Sequence, residues 1–278
     1  MRKKRIDAHQ HFWKYEPARH TWMTPEMDIL KTDFLPPDLA SHLQECNLDG
    51  CVAVQADQSE AENNFLITLA ESSAFIKGVV GWVDMEAAQL EERLEYYQQF
   101  PKMKGFRHIL QDEVQRDFML RLAFLRGISK LKAFNYTYDI LIFTDQLPYT
   151  LDFIKRFPEQ AFVIDHIAKP LIKQQITGEW KYYIQKIAVQ KNVYCKISGM
   201  VTEADWQHWK PVDFKVYLDV IVECFGMDRV MYGSDWPVCT VAASYEGMYG
   251  IVADYFSAFS KTEQARFFGE NAIRFYHL

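Results

Sequence analysis

Apolar positions along the chain follow two alternating rhythms. Short runs rich in Val, Ile, Tyr and Phe recur at Arg5–His11, Cys51–Gln55, Lys77–Val83, Lys104–Ile109, Asp139–Phe143, Ala161–His166, Val193–Ser198 and Arg229–Gly233. Runs this short and this continuous suit buried parallel strands, which are covered on both faces. Helical repeats lie between them. Pro36–Cys46 places Leu39 and Leu43 one turn apart, and Glu62–Ser72 gathers Phe65, Leu66, Leu69 and Ala70 on one face. Ala87–Phe100, Gln115–Ser129, Pro148–Phe157, Glu179–Gln190 and Phe214–Phe225 repeat the pattern, and Tyr245–Phe259 and Thr262–Tyr276 close the chain, the last with its cap placed at Thr262. Eight strand–helix alternations predict an α/β protein, a (β/α)8 TIM barrel, with a doubly wound open sheet as the alternative. No Pro/Gly/Ser-rich linker divides the chain, so residues 1–278 are read as a single domain. Residues 12–36 form the longest insertion. They carry Trp13, Tyr15, Trp22 and Met23, and are expected to fold as a lid over one end of the barrel.

Barrel active sites form where strands end. Read in order, those ends carry His9 and His11, Gln55, Trp82 and Asp84, Arg107 and His108, Thr144 and Asp145, His166, Ser198 and Asp235. The strand starts are mostly apolar or basic. This asymmetry points to an enzyme. In Asp7-Ala8-His9-Gln10-His11, residues i and i+2 of a strand share a side, so both imidazoles can face the barrel mouth. His166 ends the strand Phe162-Val163-Ile164-Asp165. Asp235 follows Gly233 and Ser234, which permit close approach, and precedes Trp236-Pro237, which stops the strand. Singly, each has an ordinary alternative: a solvated histidine, a core histidine, a turn aspartate. Together they form a constellation of three imidazoles and one carboxylate.

Composition narrows the classes. Lys and Arg number 31 against 37 Asp and Glu, a net charge of −6, so nucleic acid and anionic membranes are not expected partners. No apolar stretch reaches the length of a membrane span. The basic N-terminus lacks the apolar core of a signal peptide, because Asp7, His9, Gln10 and His11 interrupt it. Five scattered cysteines without a Cys-x-x-Cys pair read as reduced thiols, and the expected location is the cytoplasm. Cys239 has no base paired with it, so a thiol nucleophile is rejected. No glycine-rich phosphate loop is present.

Three motifs carry a family resemblance: His9-x-His11, Asp165-His166-Ile167-Ala168-Lys169-Pro170 and Tyr232-Gly233-Ser234-Asp235-Trp236-Pro237. With Gly105-Phe106-Arg107-His108 and Lys196-Ile197-Ser198-Gly199 between them, the chain from residue 5 onward resembles the amidohydrolase superfamily. Within it, the resemblance is to the branch of lactone hydrolases that act on sugar lactones, 2-pyrone-4,6-dicarboxylate and 4-sulfomuconolactone. Metal-dependent members add a lysine or glutamate ending the fourth strand, or a histidine ending the fifth. Here the fourth ends in Arg107-His108, and the fifth, Leu141-Ile142-Phe143-Thr144-Asp145, has no histidine. A two-metal centre is therefore not expected. His9, His11, His166 and Asp235 can hold one divalent ion, zinc or manganese, with an open position. Alternatively they act on a carbonyl without metal, as the resemblance to the pyrone lactonase implies.

The resemblance implies a hydrolase that opens a small cyclic ester by water attack, an aldonolactone or a related lactone. Asp235 is the expected general base, and His9, His11 and His166 the expected oxyanion stabilisers. Arg107, Gln55, Trp82, Trp22 and Ser198 are the expected substrate contacts: Arg107 as a fork onto a carboxylate or sugar hydroxyls, Trp13, Trp22, Trp82 and Trp236 as ring faces. The alternatives are a metal-dependent decarboxylase of the same superfamily and a non-catalytic sugar-binding barrel.

Overall fold

The computed structural model describes residues 3–278. Eight strands, β1 (Ile6–Gln10), β2 (Gly50–Val54), β3 (Ile76–Gly81), β4 (Met103–His108), β5 (Thr137–Ile140), β6 (Phe162–Ile164), β7 (Val193–Ile197) and β8 (Val230–Tyr232), pair in sequence order, all parallel. A parallel bridge from Gln10 to Trp236 brings the last strand end back to the first, with His11 N–H donating to the Trp236 carbonyl at 2.7 Å and Asp235 N–H to that of His9 at 2.8 Å. Helices α1 (Pro36–Glu45), α2 (Glu60–Ser72), α3 (Leu90–Tyr97), α4 (Leu122–Leu131), α5 (Leu147–Lys155), α6 (Gly178–Ala188), α7 (Pro211–Phe225) and α8 (Tyr245–Phe256) follow the strands, as a (β/α)8 barrel requires. None of the described helices is long and apolar enough to cross a membrane.

The barrel interior is layered. Ile6, Ala8, Val52, Val54, Val80, Val163 and Met231 pack with Ala272, Phe275 and Tyr276 of the terminal helix α10 (Asn271–Tyr276), which plugs one end. Register slips in β1 between Asp7 and Gln10. Such a bulge re-aims side chains. Asp7 accordingly turns to the Tyr245 hydroxyl of α8 and the Ser234 N–H, each donating at 2.9 Å, while His9 turns inward.

Several elements differ from the sequence pattern. The fifth strand starts two residues earlier than its apolar run and stops at Ile140. The sixth stops at Ile164 because residues 166–169 turn left-handed, with φ of 52°, 48°, 61° and 45°. The reading Gln115–Ser129 is a short 3-10 turn (Phe118–Leu120) followed by α4. The reading Thr262–Tyr276 breaks into α9 (Lys261–Ala265), a π-turn (Arg266–Glu270) and α10, and its cap is Ser260, reciprocated by Glu263, rather than Thr262. Gly269 explains the break: a Cβ there would meet the Lys4 carbonyl at 2.2 Å, so the chain is pressed against the segment that leads into β1.

Residues 12–36 cross the mouth as an irregular strap. Trp13 and Phe34 exchange backbone hydrogen bonds of 3.0 and 2.9 Å, and the Trp13 indole, fully buried with Met23, Leu30 and Ala56, donates to the Thr32 carbonyl at 2.9 Å. Arg19 fastens the strap to the β2–α2 turn through Asp57, at 2.6 Å, and Ser59.

Candidate active site

His9, His11, His166 and Asp235 converge at the C-terminal end of the strands. Asp235 Oδ1 lies 3.3 Å from His11 Nε2 and 3.8 Å from both His9 Nε2 and His166 Nε2, and the first two imidazoles face each other at 3.2 Å. Two glycines permit this crowding. A Cβ on Gly199, whose φ is +59°, would sit 2.5 Å from His166 Nδ1 and 3.0 Å from Asp235 Oδ2; one on Gly233 would sit 2.6 Å from the His9 Cβ. Asp235 itself adopts φ 60°.

Each imidazole is anchored through Nδ1, which decides what Nε2 can do. His11 Nδ1–H donates to the Val54 carbonyl at 2.8 Å, leaving a lone pair on Nε2. His9 Nδ1 faces Asp165 Oδ1 at 3.3 Å, and its Nε2 accepts from Arg107 Nη1 at 3.3 Å. His166 Nδ1 meets the Ser198 hydroxyl at 2.9 Å, a group that donates or accepts, so this imidazole alone can carry its proton on either nitrogen. Burial outweighs the opposing carboxylates, Asp165 at His9 and Asp235 at His166, and holds both imidazoles well below the usual histidine range. At Asp235 burial pushes the carboxyl up, but His166 and His11 outweigh it, so the group stays ionised.

Beneath the site lies a buried ionic layer absent from the sequence reading. Lys196 Nζ bonds Asp139, faces Asp165 Oδ1 at 3.0 Å and His9 Nδ1 at 3.3 Å. The Tyr276 hydroxyl donates to Asp139 at 2.7 Å. Arg107 Nη1 pairs with Asp165 Oδ2 at 3.1 Å. Burial would raise Asp165, but Lys196, His9 and Arg107 together hold it well below the usual range; burial wins at Asp139, which rises to about 6. The strand pattern held the signal: Asp139, Asp165 and Lys196 sit in otherwise apolar runs, where charge survives only when paired.

Above these groups opens a cavity of about 470 Å³, walled by Trp22, Met27, Leu141, Phe143, Trp206 and Val238 and floored by His11, Arg107, His166 and Asp235. Trp22 comes from the strap. The other sequence candidates fall elsewhere. Gln55 is fully buried and donates to the Arg107 carbonyl at 3.1 Å, and Ser198 is fully buried behind His166; both support rather than line. Trp82 is spent on His108, its indole N–H 3.4 Å from Nδ1, and Trp13 on the strap's own core. Lys169, Thr202 and Glu203 line the cavity and were not singled out as site residues.

The donor set fits a single divalent ion. A tetrahedral site with bonds of about 2.0–2.1 Å has donor–donor edges of about 3.3–3.4 Å, and the separations here are 3.2, 3.3 and 3.8 Å. The Nδ1 anchors are the outer contacts that orient histidine ligands. The ligand atoms of His9, His11 and Asp235 lie within 4.8 Å of one another, and Arg107 Nη1 shares His9 Nε2 at 3.3 Å. Among the described residues, a second set, His9, Asp165 and His166, also gathers its ligand atoms within 4.8 Å, but Asp165 is already spent on Lys196 and Arg107.

A barrel with a His-x-His strand end, a further histidine in the turn after β6 and an aspartate after β8 defines a class of hydrolytic barrels. The amidohydrolase family model matches residues 6–278, and the chain belongs to that family. An L-fucono-1,5-lactonase of Burkholderia multivorans is 38% identical, over 99% of this chain and 96% of its own. A second L-fucono-1,5-lactonase, from Burkholderia ambifaria, is 32% identical over the same shares. A crystal structure of an amidohydrolase from Burkholderia multivorans with bound zinc superposes with a TM-score of 0.95, at 39% identity and 99% coverage of each chain.

Proposed function

We propose that this chain hydrolyses a neutral sugar lactone, an aldonolactone like the one named for its relatives. The observation that carries this is the convergence of one ionised carboxylate with three imidazoles, where Asp235, His11, His166 and Arg107 floor a cavity of about 470 Å³. Cavity charge favours a neutral substrate. Arg107 and Lys169 face Asp112, Glu203 and Asp235, and Arg107 is already neutralised by Asp165, so little positive charge remains for a dicarboxylate. Five free thiols accord with a cytoplasmic setting.

In this reading Asp235 removes a proton from water. The hydroxide adds to the lactone carbonyl carbon, and the carbonyl π electrons move onto oxygen. Arg107, which lines the floor, stabilises the charge on that oxygen electrostatically. His166 assists when Ser198 donates to Nδ1 and leaves the proton on Nε2. The intermediate collapses, the C–O ring bond breaks, and the departing alkoxide takes the proton held by Asp235. A divalent ion held by His9, His11 and Asp235 would supply Lewis acidity at the same carbonyl.

The test is alkali consumption on a panel of aldonolactones. Asp235→Asn should lose at least about a hundredfold in kcat while remaining folded, because an amide cannot accept the water proton. A folded variant with normal kcat sinks the mechanism. Release of carbon dioxide instead of acid assigns a decarboxylase. Activity that persists through exhaustive chelation is expected if these side chains suffice; loss restored by zinc or manganese moves oxyanion stabilisation to a held ion.

A further inference from the structure

The cavity wall contains an ion pair that the mechanism does not use. Lys169 and Glu203 line it side by side, their side chains only 17% and 19% exposed, yet Lys169 Nζ stands 3.6 Å from Glu203 Oε1, beyond hydrogen-bond distance. Glu203 otherwise receives one long bond, from the Thr202 hydroxyl at 3.4 Å. The Phe143 ring lies 5.2 Å from the ammonium. Two largely desolvated charges that stop short of contact leave donors and acceptors unspent, which is costly unless a ligand takes them up.

The backbone is bent to put them there. Residues 166–169 are non-glycine and all left-handed. L-residues rarely adopt this conformation, so each carries backbone strain. The turn is held by Lys169 N–H donating to the His166 carbonyl at 2.8 Å, Trp180 Nε1–H to that of Ile167 at 2.7 Å, and the Thr144 hydroxyl to that of Lys169 at 2.9 Å. His166 and Lys169 stand one turn apart, so the same strained turn delivers both the imidazole of the reaction centre and the ammonium of the wall. Strain of this kind persists where the surroundings over-determine it, and it concentrates at functional sites. The Trp206 indole, fixed by its N–H to the Thr202 carbonyl at 2.9 Å, stands beside the pair as an aromatic face.

We infer that Lys169 and Glu203 read a vicinal diol on the lactone ring. One ring hydroxyl accepts from Lys169 and its neighbour donates to Glu203, while the C–H face of the ring rests on Trp206. A hydroxyl both donates and accepts, so a diol bridges the gap and satisfies both charges with no net charge of its own. The pair selects polyhydroxylated lactones over bare ones. This rests on the lactonase reading above and adds the determinant of its substrate class.

The test compares an aldono-1,5-lactone bearing free vicinal hydroxyls with δ-valerolactone, which has the same ring and none. In Glu203→Gln and in Lys169→Met, the ratio of kcat/KM for the hydroxylated over the bare lactone should fall more than about tenfold. A ratio within twofold of the parent overturns the inference, because a purely structural or proton-transfer role lowers both substrates alike. Glu203→Gln is nearly isosteric and carries the test if Lys169→Met folds poorly. Calorimetric binding of a neutral, non-hydrolysable ring, a 1,5-anhydroalditol against tetrahydropyran, asks the same question without catalysis. Selective weakening of the polyol in both variants supports the pair, and equal affinity overturns it. A parent protein that hydrolyses no lactone sinks the reading of the reaction, while this binding comparison still decides the role of the pair.

Discussion

Lys196→Met should be among the costliest conservative substitutions in the barrel. The lysine is fully buried and is shared by two fully buried carboxylates, Asp139 and Asp165. Asp165 retains Arg107 Nη1 at 3.1 Å and His9 at 3.3 Å when the ammonium is removed. Among the described residues, Asp139 then retains only the hydrogen bond from the Tyr276 hydroxyl, at 2.7 Å. The loss therefore falls on Asp139, an uncompensated buried charge. Removing one partner of a buried pair costs about 3–5 kcal/mol. With an unfolding entropy of about 2.1 cal/mol/K per residue, a chain of this length should lose roughly 5–9 °C in Tm. The orphaned Asp139 would bind a proton in the folded state, so the deficit should be smaller at pH 5 than at pH 8. Lys196→Met/Asp139→Asn removes the orphan charge and should recover roughly half of the loss or more. Calorimetric or circular-dichroism melting of the two variants is the assay. A Tm within about 2 °C of the parent for Lys196→Met, or no recovery in the double variant, would falsify the claim that this layer is a charge-balanced unit.

Gly199→Ala adds a methyl 2.5 Å from His166 Nδ1 at a φ of +59°. It should cut kcat/KM at least about tenfold through the displaced imidazole, beyond a backbone cost of about 1–2 kcal/mol; parent kinetics would show that His166 tolerates displacement. Glu62 is buried under the strap's attachment, and burial, partly opposed by the Ala56 N–H and Arg19, lifts its pKa from 4.5 to about 7. Its folded value is the higher one, so the folded state binds the extra proton and stability falls as pH rises from about 4.5 to 7, then levels. Glu62→Gln should flatten that slope and melt higher than the parent at pH 8; an unchanged slope refutes it. Arg19→Met removes the strap's fastening to Asp57, and because the strap carries Trp22 and Met27 into the cavity, KM should rise more than kcat falls, measured on whichever lactone is turned over.

The barrel and the four converging groups were legible because they depend on local rules. Strand length, period and the i, i+2 rule act within a few residues, and polar strand ends have few structural uses other than a site. What escaped depends on register and long-range pairing. Gln55 and Ser198 look like strand-end ligand contacts, but the depth at which each strand stops decides whether such a side chain lines the cavity or braces its floor, and both brace. Trp82 and Trp13 find nearer partners in His108 and the strap. Lys169 was hidden by its neighbours: an Ile-Ala-Lys segment gives no hint of a left-handed turn, which tertiary bonds from Trp180 and Thr144 impose.

Asp165 shows how the legible and the hidden are connected. It precedes His166 in the motif, and in sequence it reads as part of the strand's polar end. In the structure the left-handed turn begins immediately after it, so the two neighbours diverge: Asp165 faces Lys196, Arg107 and His9, while His166 faces Asp235. The carboxylate fixes His9 from behind through Nδ1 and Arg107 through Nη1, and those two groups meet each other at Nε2. One buried charge thereby sets the position of both the His9 imidazole and the Arg107 guanidinium. Its own ionisation is secured by Lys196, which no substrate reaches. The reaction centre is therefore rigid because of charges it never exposes, and the strain of the turn after Asp165 is the consequence of serving both layers with adjacent residues.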